Sequence, residues 1–212
     1  MKRICNLLLA AAFAVTATAA SAEPQAPDTL VKSTANEVLD IIKKDKDIQS
    51  GDMRKITALA EEKILPHFDF ERMSRMVLGK HWNRASKEQQ QQFIKQFRSL
   101  LITTYASALA KYRNQTIEYK PLRMQPADIE VTVKTQILQP GGPALPIDYT
   151  LGKSENSWLV FDVKIEGVSL VTTYRGQFST EVRQSGMDGL IQRLADKNKR
   201  PTSAAEATSK QG

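Results

Sequence analysis

Few side chains in this sequence have the type and spacing to do covalent or metal chemistry. The 212 residues include 2 histidines and 1 cysteine. His67 and His81 lack the HExxH or His/Cys spacing of a metal site. His67 lies four residues before Glu71, but Pro66 and Asp69 place a helix boundary between them, so both histidines read as structural or surface groups. Ser169 lies in Gly-Val-Ser-Leu-Val, which lacks the second glycine of a nucleophile elbow, and it reads as part of a strand. Without that elbow or a triad spacing, a lipid hydrolase is disfavoured. Gly152-Lys153-Ser154 resembles the end of a phosphate loop, yet Ile147 stands where its first glycine belongs, and the segment reads as a hairpin turn. No catalytic residue, metal ligand or cofactor is therefore expected. Two charged residues keep alternatives. Asp162 is a buried functional acid or, as alternation favours, a solvent-facing neighbour of Lys164. Arg175 meets a phosphate or pairs with a carboxylate such as Asp162.

The elements that would position these groups follow from periodicity. The stretch WLVFDVKIEGVSLVTTYRGQF, residues 158–178, begins as a strand with Leu159, Phe161, Val163 and Ile165 on one face. Gly167 permits a turn or bulge, and a second apolar run, 168–171, follows. Tyr174, Phe178 and Val182 then recur every four residues, the spacing of a helix. Earlier, Asp28 is expected to cap a helix with Val31, Ala35, Val38 and Ile42 on one stripe, ending in a solvated run at 43–47. Asp52 is expected to cap a second helix, ended by Pro66, and Asp69 a third, stopped by Gly79. Ser86-Lys-Glu-Gln89 has the form of a capping box and opens the strongest helix, with Phe93, Phe97, Leu100, Leu101, Thr104 and Ala108 on one side as far as about Tyr112.

Beyond Asn114 the period becomes two. Ile117 and Tyr119, then Ile129, Val131, Val133 and Ile137, then Ile147, Tyr149 and Leu151 alternate with polar residues. Pro140-Gly-Gly-Pro143 and 152–157 are the intervening loops. Gly186 breaks the final helix, and Leu190, Ile191 and Leu194 form its last turns. Helices first, strands second and a helical end give an α+β class: a curved, twisted, mainly antiparallel sheet of about four to five strands, with helices enclosing an apolar cavity.

The N-terminus reads as a cleavable signal. Lys2 and Arg3 precede an apolar run at 7–15, and Ala20-Ser21-Ala22 is a small-x-small cleavage site. The domain assignment is 1–22 signal peptide, 23–197 one domain and 198–212 a polar, disordered tail. Cys5 leaves with the signal, so the exported chain folds without disulfides. Net charge is +7 for the whole sequence and +5 once Lys2 and Arg3 are gone. This permits an anionic partner or simply confers solubility. Nucleic acid is disfavoured, since no Arg/Lys cluster is interleaved with aromatics.

Several segments in order carry a family resemblance. PHFDFERMSRMVLGKHWNRAS at 66–86, the helix after it, and the 158–178 stretch followed by Gly186-Met-Asp-Gly-Leu190 together resemble the MlaC family, also called toluene-tolerance auxiliary proteins. The resemblance spans about residues 29–197. It implies a periplasmic carrier that shuttles glycerophospholipid between an outer-membrane lipoprotein–porin complex and the substrate-binding subunit of an inner-membrane ABC transporter, maintaining outer-membrane lipid asymmetry. The bound phospholipid is cargo, and no cofactor is implied. A binding protein for another apolar small molecule, such as a solvent, quinone or other lipid, is the alternative.

Alternation then supplies a candidate lipid-binding set: Val131, Val133, Tyr149, Leu159, Phe161 and Val163 from the strands, with Leu101, Tyr105 and Leu109 as a helical lid. A one-residue slip would invert the strand faces. Lys80, Arg84 and Arg175 are expected to form a basic rim for the headgroup or for docking. Gly167 and Gly176 are either hinges for opening or a static turn and a close-packing site.

Overall fold

The computed structural model of the chain describes residues 24–112 and 115–199. The expected signal peptide and most of the expected polar tail lie outside these residues.

Helix α1, Pro27–Lys44, starts two residues earlier than a helix capped by Asp28 would, with Ala26 in the cap position. Pro27 occupies the first helical position, where its missing N–H is no loss. Leu30, Val38 and Ile42 are buried along it. The charged run after it is not merely solvated: Asp45 accepts hydrogen bonds from the backbone N–H groups of Asp47 and Ile48 and caps a short helix α2, Lys46–Ser50, which buries Ile48. Asp52 caps α3, Met53–Leu59, through the N–H groups of Arg54 and Lys55. The helix widens into a π turn, Ala60–Ile64, just before Pro66. Asp69 caps α4, Phe70–Leu78, by accepting from the N–H of Arg72 at 2.8 Å. The capping box of Ser86 and Gln89 is formed at the start of α5, Lys87–Tyr105, and α6, Ser107–Ala110, continues it.

Five strands follow: β1 Thr116–Tyr119, β2 Glu130–Leu138, β3 Leu145–Lys153, β4 Trp158–Ile165 and β5 Val168–Ser169. They form an antiparallel sheet in sequence order β1-β2-β3-β4-β5, as short connections between strands favour. Between β3 and β4 the register shifts: Leu151 faces Val160 while Thr150 faces Asp162, so Phe161 is an extra residue in β4. Such a bulge reverses alternation along one strand. Val160, Val163 and Ile165 consequently share a sheet face with Tyr149, Leu151 and Ile147, whereas Leu159, Phe161 and Asp162 leave on the other.

The last described element is α7, Leu170–Lys199, divided at Gly186, whose φ of 71° and ψ of −178° are outside any helix. This region is open to glycine and almost nothing else. The helix starts earlier than the period of Tyr174 suggests. Ser169 is the last residue of β5, and its Oγ accepts from the Thr172 N–H at 3.0 Å. At the far end, Asn198 donates its amide to the Gln96 carbonyl at 2.9 Å, tying α7 to α5.

Three apolar clusters result. The first joins α4, α5 and α7 around Phe93, Phe97, Tyr174 and Phe178, with rings meeting edge-on at 5.4–5.8 Å. The second packs Leu30 against the inner sheet face, around Val131, Val133, Leu151 and Trp158. The third joins α1, α2 and α3 to the end of α5 through Ile42, Ile48, Ile56 and Ile102.

Candidate functional site

A cavity of about 390 Å³ lies between the inner sheet face and the helices. Helix α1 lends it Val31, Thr34, Ala35, Val38 and Leu39. The π turn lends Ala60 and Ile64. Phe68, Phe70 and Met73 come from the entrance to α4. Leu101, Ile102, Tyr105, Ala106, Ala108, Leu109 and Tyr112 come from α5, α6 and the residues after them. The sheet supplies Ile117, Ile137, Ile147, Tyr149, Val160, Val163 and Ile165, and Leu170 opens α7 beside them. A π turn in the wall is an understandable device: i→i+5 bonding widens the helix and re-aims two side chains without ending it.

The wall has few polar groups, and most have local company. The Tyr112 hydroxyl donates to the Gln115 carbonyl at 2.6 Å. Tyr149 is half-buried, and loss of water around its hydroxyl pushes its phenol up to about 12. Tyr105 is shifted upward by the same cause, so both phenols stay neutral at any ordinary pH. His67 is half-buried in the wall. A surface of this kind offers acyl chains or rings dispersion contact and no stronger fixing point.

Of the expected lipid-facing set, Leu101, Tyr105, Leu109, Tyr149 and Val163 come together on this wall. The other four do not line it. Val131 and Val133 share the inner face but are packed behind the wall, in the second cluster, against Leu30 and Leu151. Leu159 and Phe161 fall on the opposite face because of the bulge, and Phe161 joins the helical cluster with the Arg72 guanidinium 3.4 Å above its ring. Alternation also missed Val160, which the bulge brings to the wall, and the whole contribution of α1. The α1 stripe was visible as Val31, Ala35 and Val38. What it packed against was not.

The basic trio also differs in place. Lys80, Arg84 and Arg175 are exposed, and none lines the cavity. Arg175 lies against Gly79 and takes part in no ion pair among the described residues; a Cβ added at Gly79 would meet its Nη2 at 3.3 Å. Asp162 is not its partner and is not solvent-facing beside Lys164. It is buried and accepts from the Val171 N–H at 3.2 Å, at the start of α7. His81 is buried too. Desolvation first, and then the charges of Lys80, Arg84 and Arg183, hold its pKa below the usual histidine value. Among the described residues no group of three or more His, Cys, Asp or Glu is placed to hold a metal ion, and no helix is long and apolar enough to cross a membrane.

An α+β body whose sheet and helices enclose a single-character, apolar space is built to bind an apolar ligand. Residues 32–196 match the family model described as MlaC protein, and the chain belongs to that family. It is 27% identical over 183 residues to the toluene tolerance protein ttg2D of Pseudomonas putida, covering 86% of this chain and 83% of that one. It is 25% identical over 193 residues to the intermembrane phospholipid transport system binding protein MlaC of Haemophilus influenzae, covering 90% and 89%. A solved structure, the phospholipid-binding protein of Ralstonia solanacearum in complex with a phospholipid, superposes with a TM-score of 0.77 at 39% identity, covering 82% of this chain and 97% of that one.

Proposed function

We propose that this protein is a periplasmic carrier of glycerophospholipid, taking the lipid between an outer-membrane lipoprotein–porin complex and the substrate-binding subunit of an inner-membrane ABC transporter. The observation that carries the reading is the apolar cavity between α1, α5 and the inner sheet face. The relatives' names support the cargo: one is a phospholipid transport binding protein, and the solved neighbour was determined with a phospholipid. No covalent step is required for such a task.

A carrier answers a physical problem. Each methylene of an acyl chain resists transfer to water by about 0.8 kcal/mol, so a lipid with two chains leaves a bilayer unaided only very slowly. A cavity about as apolar as the bilayer makes the exchange close to balanced, and direction then comes from the docking partners. Lys80, Arg84 and Arg175 suit docking better than headgroup contact, since all three lie away from the wall. Exposed charges of this kind act chiefly on association rate and its salt dependence. Reversing Lys80 and Arg84 to glutamate is expected to slow lipid transfer to the transporter subunit several-fold at low salt and to leave the bound lipid in place. Transfer unchanged at low salt would remove these residues from the docking surface.

The direct test of cargo is extraction. The purified protein is treated with organic solvent and the extract identified by mass spectrometry. Glycerophospholipid in near-stoichiometric amount is the expected result. A quinone, another apolar molecule or nothing at all would overturn the reading.

A further inference from the structure

The cavity wall is apolar nearly throughout, yet a phospholipid brings a phosphodiester with its tails. Two cations adjacent in sequence to wall residues are already engaged. Lys63 is held by Glu37 at 2.8 Å and Glu62 at 3.1 Å. Arg72 is paired with Glu130 and lies over Phe161, on the opposite face of the sheet.

Arg98 differs. It precedes the wall residues Leu101, Ile102 and Tyr105 by three, four and seven residues on α5, so it stands on their face of the helix one turn beyond the end of the cavity lining. It is half-buried. Its guanidinium sits 5.8 Å from the ring centroid of Phe70, itself a wall residue. That ring is fixed from beside by Phe68, stacked at 5.9 Å. Arg98 takes part in no ion pair among the described residues. A guanidinium within cation–π reach of a fixed ring, with no hydrogen bond or ion pair among the described residues, can turn its planar fork to grip phosphate oxygens two-pronged.

We propose that Arg98, beside Phe70, receives the phosphate group of the bound lipid at this end of the cavity. Tails then run along the α5 stripe towards Tyr105 and the strand ends, and Arg98 distinguishes a phospholipid from a neutral diacylglycerol with the same tails. The assignment rests on the phospholipid reading above.

The test uses the full mature protein incubated with vesicles containing phosphatidylglycerol or diacylglycerol of identical tails, with bound lipid quantified by mass spectrometry. Wild-type protein is expected to take up phosphatidylglycerol about tenfold better, the size of one charge-assisted contact. Arg98→Gln is expected to bring the ratio close to one with diacylglycerol uptake unchanged, and Arg98→Lys to restore part of it. Arg98→Met keeps the stem's packing on Phe70 and serves the same reading should Arg98→Gln fail to fold. A folded Arg98 variant that keeps the wild-type ratio overturns the assignment. So does one that loses both lipids equally, which would mark Arg98 as structural. Wild-type protein that loads neither lipid would instead overturn the carrier reading, and this proposal with it.

Discussion

Asp162 holds the first turn of α7 in place. Its carboxylate is buried and accepts from the Val171 N–H at 3.2 Å, while Ser169 Oγ accepts from the Thr172 N–H. A negative charge at a helix N-terminus meets both a free donor and the positive end of the helix dipole. Asp162→Ala should therefore lower unfolding free energy by about 1–2 kcal/mol, the usual range for losing a cap. Asp162→Asn, which keeps an acceptor, should fall between the two, and urea denaturation of the three proteins checks the order. His81 lends the fold a pH dependence of its own. Its Nε2 has no hydrogen-bond partner among the described residues, and burial with neighbouring cations holds its folded pKa below the ordinary value. On acidification the unfolded chain binds this proton first, near pH 6.5. Stability from the neutral imidazole is then fully present above about pH 6.5 and is lost as pH falls through the lower, folded pKa. Thermal melts from pH 8 to 5 should show this decline, and His81→Gln should flatten the part of the slope that begins near pH 6.5. An unchanged slope would place the proton elsewhere.

Among the elements, the β4–β5 hairpin decides how the sheet hands over to α7. Ile165 pairs with Val168, leaving Glu166 and Gly167 as a two-residue loop with φ of 52° and 82°. Two positive φ values make a type I′ turn, whose twist matches that of the strands it joins. This favours the static role for Gly167, and Gly176 lies exposed within α7 with nothing near enough to demand a glycine for packing. Gly167→Ala should cost about 1 kcal/mol through its left-handed backbone alone. The melting temperature should fall while lipid transfer per folded molecule stays normal; slowed release from a fully loaded protein would revive the hinge. The same stretch shows which elements can be read from residues. The capping box at Ser86, the β2 and β3 alternation and the Gly186 break were all visible, because each has its own local chemistry. The bulge at Phe161 was not. An extra residue in a strand leaves an apolar run looking the same, yet it moves Val160 onto the wall and takes Leu159 and Phe161 off it. Val131 and Val133 illustrate a second gap: alternation gives the face of a strand, and only tertiary packing says which part of that face stays open.

At the scale of the molecule, the cavity and the helical core are separate structures that share a few side chains. The helical cluster of α4, α5 and α7 is closed by Phe93, Phe97 and Phe178, whereas the cavity is bounded by α1, the end of α5, α6 and the inner sheet face. Charge placed in one should not act like charge placed in the other. Leu109 and Ile147 are half-buried wall residues on opposite sides of the space, one helical and one from β3. An aspartate at either can keep partial contact with water in the empty protein, but it must be desolvated when acyl chains fill the cavity. Leu109→Asp and Ile147→Asp should therefore fold with modest loss of stability and co-purify with at least tenfold less lipid. Phe161 lies in the helical cluster, where its ring is covered by Arg72. Phe161→Asp removes a buried aromatic and inserts a charge, so it should destabilise by about 3 kcal/mol or more, and whatever fraction remains folded should keep its lipid. Melting temperature and lipid per folded molecule, measured on the same preparations, separate the two effects. A stable, lipid-free Phe161→Asp beside fully loaded Leu109→Asp and Ile147→Asp would put the tails on the other side of the sheet and overturn this account of the cavity.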